Sequence, residues 1–173
     1  MKALEQRTSG RIFISAQNYD LAATLISGQA FRWQPRGDSW VGVVGRHCVR
    51  LRQTPRGMVA ETRDGTQGWD WMLEYLQARV DLDRILDSFP ADEPMNRAVD
   101  ACRGLRILRQ EPWECLASFI LSATKQIAQI RQIVARLCRC FGEEIPGFDF
   151  PAGHFVAPDG NLRPEDPEDS GAL

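Results

Sequence analysis

Lysine is nearly missing from this chain. Only Lys125 lies beyond the first few residues. It falls on the polar side of a helical stretch, a poor place to lower an amine pKa by burial. Histidine is as scarce. His47 sits in a strand-like run and His154 in an acidic stretch, with no ligand spacing typical of zinc. Neither a metal nor any other cofactor is expected. The odd cysteine count, 5, argues against a disulfide framework and for a reducing cytoplasm. In a prokaryote that would mean association with the nucleoid. Cys138 and Cys140 are too few for a metal site, and Cys48, Cys102 and Cys115 read as core residues. No apolar segment approaches transmembrane length. The leader "MKALEQRTSG" lacks a signal-peptide core, so no membrane partner is expected. Phosphate-binding glycine loops and helicase motifs are absent. Asp81, Asp83 and Asp87 read as a helix face, not a magnesium site.

What is present is unevenly charged. The formal net charge is -2, but residues 1–60 carry nine Lys/Arg against three Asp/Glu. Residues 111–142 carry four against two, and residues 143–173 carry one arginine against eight acids. A basic front and an acidic tail permit a nucleic-acid partner without demanding one. A merely soluble basic surface is the plain alternative.

Short apolar runs open the chain. "RIFISA", "QAFRW", "SWVGVVG", "HCVRLRQ" and "GMVAETR" read as strands. "QPRGDS", "GR" and "TPRG" between them are turn signals, so antiparallel hairpins are predicted over about Arg11–Arg63. Such a sheet needs a cover. "GWDWMLEYLQA" supplies one, with Trp71, Met72, Tyr75 and Leu76 on one helix side. "DLDRILDSF" follows an aspartate cap, and "PMNRAVDAC" begins with Pro94 in a suitable first turn. Trp33, Trp40, Trp69, Trp71 and Trp113 all read as packing residues.

The strongest helical signal is "PWECLASFILSATKQIAQIRQIVARLCRCFG". Leu116, Phe119, Ile120, Ala123, Ile127, Ile130, Val134, Leu137 and Phe141 keep a 3–4 spacing. Ser122 and Thr124 are cap-type residues, so one long helix or a helix pair both fit. The opposite face carries Lys125, Gln129, Gln132, Arg136 and Arg139 with no acid among them. It is either a solvated face or a set of phosphate contacts. After Gly142 the pattern fades, and 151–173 is expected to be an acidic flexible tail.

"LISGQAFRW" raises the sharpest question. Gly28 serves either as an ordinary turn or as a place where something approaches the backbone closely. "SGQAFRW" with the following "WVGVV" resembles the amino-terminal domain of 8-oxoguanine DNA glycosylases. "LRILRQEPWECLASFILSATKQIAQIRQIVARLCRCFG" resembles the start of their helical domain. The likeness covers roughly 11–150, as an amino-terminal-like domain at 11–110 and the start of the helical domain at 111–150. It implies an α+β fold: a twisted antiparallel sheet with covering helices, TATA-binding-protein-like, followed by the long helix or helix pair. It also implies DNA repair by base excision, with hydrolysis of the N-glycosyl bond at oxidised guanine in double-stranded DNA. In the family the glycine carbonyl of S-G-Q accepts a hydrogen bond from N7–H of 8-oxoguanine. That role maps to Gly28. Phe119 maps beside the base pocket as a structural residue.

Two departures concern the opposite base. The family has an Asn where this chain has Thr124, and an Arg where it has Gln129. Neither replacement offers the cationic fork of Arg. The family's helix-hairpin-helix, catalytic lysine and aspartate match no residue here, and Lys125 is not the nucleophile. The expectation is a damaged-DNA-binding fragment, inactive in base excision alone, with Lys125, Arg136 and Arg139 as candidate phosphate contacts. A subunit completed by a separate catalytic chain and a non-catalytic interaction scaffold are the alternatives.

Overall fold

A computed structural model describes residues 6–8, 10–66, 68–145, 148, 154–156 and 162–164. The elements run β1 Gln6–Thr8, β2 Arg11–Ser15, α1 Leu21–Ile26, β3 Gln34–Arg36, β4 Ser39–Val44, β5 His47–Thr54 and β6 Gly57–Thr62. Then come α2 Asp70–Tyr75, α3 Leu82–Leu86, α4 Glu93–Ala101, α5 Pro112–Ser122, α6 Ile127–Phe141, β7 His154–Val156 and β8 Leu162–Pro164. The first six strands form one antiparallel sheet in the order β1-β2-β6-β5-β4-β3. Helices cover one face and a helix pair follows, so the α+β expectation holds.

Alternation along the strands selects the covered face. Ile12, Ile14, Val49, Leu51, Met58 and Ala60 point inward and are fully buried. Leu21 and Leu25 of α1 and Met72, Leu73 and Leu76 around α2 close over them. Each such side chain contributes about 1.5–3 kcal/mol by leaving water. Gly57 (φ 150) lets β2 and β6 approach, since a Cβ there would meet the Ile14 carbonyl oxygen at 2.1 Å. Asp20 caps α1 by accepting from the Ala23 N–H at 2.8 Å.

Several sequence expectations need correction. "QAFRW" forms no strand. Ala30 and Trp33 both enter the core, three positions apart, which no strand allows. Arg32 turns to Glu114 at 3.3 Å. The helix α1 has no counterpart in the sequence reading. Cys102 and Cys115 are exposed, as is Trp113 at 70%. Cys102 sits at the C-cap of α4, and Trp113 and Cys115 lie on a face of α5 left exposed. Only Cys48 among the expected core cysteines is buried. Two short strands, β7 and β8, pair with each other where no strand was expected. The rest of the expected flexible tail at 151–173 lies outside the described residues.

The long apolar pattern is a helix pair. Between α5 and α6 the chain turns through Ala123 (ψ 108) and Thr124 (φ 75). Among the described residues no helix is long and apolar enough to cross a membrane.

Candidate nucleic-acid interface

The Ser-Gly-Gln bend is held by its glutamine. Gln29 Nε2 donates to the carbonyl oxygens of Thr24 (3.1 Å) and Arg106 (2.8 Å) and to Ser27 Oγ (3.0 Å). Its Oε1 accepts from the Leu108 N–H at 2.8 Å. Ser27 Oγ donates to the Thr24 carbonyl at 3.0 Å. The buried Thr24 hydroxyl accepts from the Arg106 N–H at 3.1 Å. One amide side chain therefore ties the bend both to α1 and to the extended segment 105–110.

Gly28 lies in the middle of this bend. Its φ of 86 lies in the left-handed region that favours glycine. The residue is half-buried. Among the described residues no group donates to its carbonyl oxygen. A Cβ at Gly28 would lie 2.8 Å from Ile127 Cδ1. Ile127 is the first residue of α6, so the bend abuts the break between the two helices. Segments distant in sequence meet at this contact.

The other sequence-derived residues distribute around it. Thr124 and Lys125 lie in the break itself, both exposed. Gln129 lies in the first turn of α6, where its Oε1 accepts from the Gln126 N–H at 3.0 Å. Arg136 and Arg139 are exposed further along the same helix, about 14 and 18 Å from its start at 1.5 Å per residue. They are apart from Gly28 but on the element that touches it. Phe119 is 74% exposed on α5, away from the core position a purely structural role suggests.

Sequence reasoning missed two features. A cleft of about 540 Å³ runs between the segment 31–34 and α6, bordered by Phe31, Gln34, Arg131, Gln132, Cys138 and Arg139. It does not reach Gly28. Gln34 Oε1 and Arg131 Nε are buried without a hydrogen-bond partner among the described residues. Burial also pushes the Arg131 guanidinium below its ordinary pKa. The second feature is a polar–aromatic stack beside a smaller cleft of about 350 Å³. His47 Nδ1 contacts Asp64 Oδ2, its ring lies 4.1 Å from that of Trp71 at 16°, and Trp71 lies 5.9 Å from Trp69. The spacing of His47 and Asp64 in sequence offered no signal for this pairing. Among the described residues no group of His, Cys, Asp and Glu is placed to hold a metal.

Comparison with known proteins gives this arrangement a lineage. The chain is similar to the Arabidopsis thaliana N-glycosylase/DNA lyase OGG1, at 31% identity over 140 residues, covering 75% of this chain and 38% of that protein. It is similar to the Saccharomyces cerevisiae N-glycosylase/DNA lyase at 29% identity, covering 84% and 42%. It thus spans about two fifths of the length of either relative. Among solved structures, MBOgg1 in complex with a low-affinity DNA ligand superposes with a TM-score of 0.78 at 25% identity, over 96% of this chain and 55% of that one. The apo form of the Clostridium acetobutylicum 8-oxoguanine glycosylase/lyase shares the fold, with a TM-score of 0.75 at 22% identity over 95% and 54%. The family model for the 8-oxoguanine DNA glycosylase N-terminal domain matches residues 11–116, from the first long strand to the start of the helix pair. With well over half of its residues under that model, the chain belongs to the 8-oxoguanine DNA glycosylase family.

Proposed function

We propose that this chain recognises 8-oxoguanine in double-stranded DNA through the Gly28 carbonyl, and that its own residues do not break the glycosidic bond. The observation that carries the reading is a carbonyl oxygen to which no group among the described residues donates, in a bend tied down by the hydrogen bonds of Gln29. An oxidised guanine presents N7–H to such an oxygen. Normal guanine presents a lone pair there and is repelled. The difference operates only on a base swung out of the helix. Gln29 matters because its bonds fix the bend before the base arrives, and preorganisation lowers the entropy cost of binding.

Phosphate contacts fall to α6. Its N-terminus carries the positive end of the helix dipole. Lys125 stands just before it, and Arg136 and Arg139 follow on the exposed side. Such contacts set orientation and carry no sequence information. Reading of the opposite base falls to Thr124 and Gln129. The Gln129 amide oxygen accepts from the Gln126 N–H, and its NH2 and second lone pair are neutral groups that can meet either a base acceptor or a base donor. Discrimination between opposite bases is therefore weak. Lys125 stands among solvent and acts as a phosphate contact, not as a nucleophile.

The test is a titration of labelled duplex carrying 8-oxoguanine opposite cytosine, beside the undamaged duplex. Tighter binding to the damaged duplex is expected, with affinity falling linearly on a log scale against salt. Equal affinity for the two, or affinity indifferent to salt, rejects the reading. Free base released by this chain alone rejects the non-catalytic part.

A second reading has its own observation. Leu116, Phe119 and Ile120 of α5 and Leu137 and Phe141 of α6 are 50%, 74%, 62%, 42% and 84% exposed. An apolar stripe of that extent suits a covering polypeptide. On this reading a further helical chain supplies the catalytic amine. Borohydride trapping on damaged duplex with that candidate chain then yields a covalent adduct, and its absence counts against the idea.

A further inference from the structure

Arg131 lies in α6, half-buried. Among the described residues its guanidinium makes no hydrogen bond and no ion pair. Burial is the one influence that shifts its pKa, downward, and no neighbouring carboxylate holds it up. A cation drawn out of water is normally paired, because little else repays its lost hydration. At this position the fold carries a charge that nothing described matches.

The unmatched charge lines the cleft between the segment 31–34 and α6. Phe31, Val43, Val134 and Ala135 give that cleft an apolar lining. Its volume of about 540 Å³ suits a drug-sized molecule. Gln34 also lines it, and no described residue donates to its Oε1. The last torsion of a glutamine is broad, so this oxygen can turn to a ligand. Arg32, on the same lining, already meets Glu114 at 3.3 Å.

The charges around the cleft select the ligand. Glu143 and Glu144 border it and are exposed. Water and salt screen them, so a single negative charge responds more to the half-buried Arg131. A multiply charged ligand feels their repulsion in proportion. A phosphate monoester carries about 1.5 to 2 negative charges near neutral pH, and a nucleic-acid strand more. A carboxylate carries one, and its two oxygens match the planar fork of a guanidinium.

We propose that this cleft binds a small organic monocarboxylate. The carboxylate pairs with the Arg131 guanidinium, the apolar body lies along Phe31, Val43 and Val134, and a hydroxyl or N–H donates to Gln34 Oε1. Gly28 is not part of the cleft's lining, so the site is distinct from the base-recognition bend.

The test uses the full chain with 6-hydroxy-2-naphthoate as the probe, titrated by calorimetry and located by the methyl signals of Val43 and Val134 in NMR. Saturable binding that moves both signals is expected. Removing the carboxylate (2-naphthol) or the guanidinium (Arg131→Met) should weaken binding about ten- to hundredfold. Wild type should prefer the probe to plain 2-naphthoate, and Gln34→Leu should lose that preference. Without ligand, Arg131→Met should unfold at a urea midpoint no lower than wild type, because it removes an unmatched charge. Absence of saturable binding overturns the proposal, as does equal affinity for Arg131→Met. So does a probe that moves only the signals of Leu116 and Phe119 on the exposed stripe. A lower midpoint for Arg131→Met also overturns it, since the guanidinium would then have a partner already. Equal affinity of wild type for the two acids removes Gln34 from the site. No DNA enters this experiment, so its outcome is independent of the Gly28 reading.

Discussion

Gln29 accounts for the Ser-Gly-Gln stretch as much as Gly28 does. Its amide bonds four partners at 3.1 Å or less. Two of them, the Arg106 carbonyl and the Leu108 N–H, belong to buried residues. Gln29→Ala leaves both without a partner. The expected cost is about 1–3 kcal/mol, read as a lower urea midpoint at unchanged slope. A second expectation concerns Asp64. Burial pushes its carboxyl up, but hydrogen bonds from His47 and the Thr66 N–H outweigh this, and it ends below the ordinary 3.8. A depressed pKa means that the folded state prefers the charged form. The stabilisation is present above the ordinary value and is lost as pH falls through the lowered one. The stability gap between wild type and Asp64→Asn should therefore stay level down to that range and then close. A gap that widens on acidification would contradict this origin.

At the scale of elements, the helix pair shows what periodicity conceals. Apolar positions keep their 3–4 spacing from Leu116 to Phe141, yet the chain leaves helical geometry at Ala123 and Thr124. Spacing records which side is apolar, not whether the backbone is continuous. The break has a cost at Thr124, whose φ of 75 is unusual for a β-branched residue. Thr124→Asn, to a residue that tolerates this region, should stabilise the protein by about 1 kcal/mol. Equilibrium unfolding measures it, and a loss of stability would show that the Thr124 side chain makes a compensating contact. The strand pattern was easier to read. β2, β4 and β6 fall within the runs that alternation and turn residues marked out, and β5 overruns its own by one residue, Thr54. β3 was misplaced because Trp33 follows the demand of the core, donating its Nε1–H to the Tyr75 hydroxyl at 2.8 Å, and not the demand of a pleat.

For the molecule as a whole, the two sides of the α5–α6 pair are unequal. Ile130 and Val134 are buried, while Leu116, Phe119, Ile120, Leu137 and Phe141 remain exposed. A monomer with such a stripe should bind a hydrophobic dye and self-associate at rising concentration. Replacing Leu116, Phe119 and Ile120 together by serine should reduce both, by dye titration and sedimentation velocity, with the sheet domain unaffected. Unchanged dye binding would place the sticky surface elsewhere.

The sequence alone determined the strands β2, β4, β5 and β6, the covering helix and the family, because alternation, turn chemistry and motif order are local properties. It also marked Gly28 as a place of close approach. Only the tertiary structure decided that the approach includes Ile127, that Gln29 is the clamp, and that His47 finds Asp64 beneath a stack of tryptophans. It alone decided which helix faces no other described residue covers. Each of these is a meeting between segments far apart in the chain. Such meetings depend on how the whole backbone closes, and no local period records that.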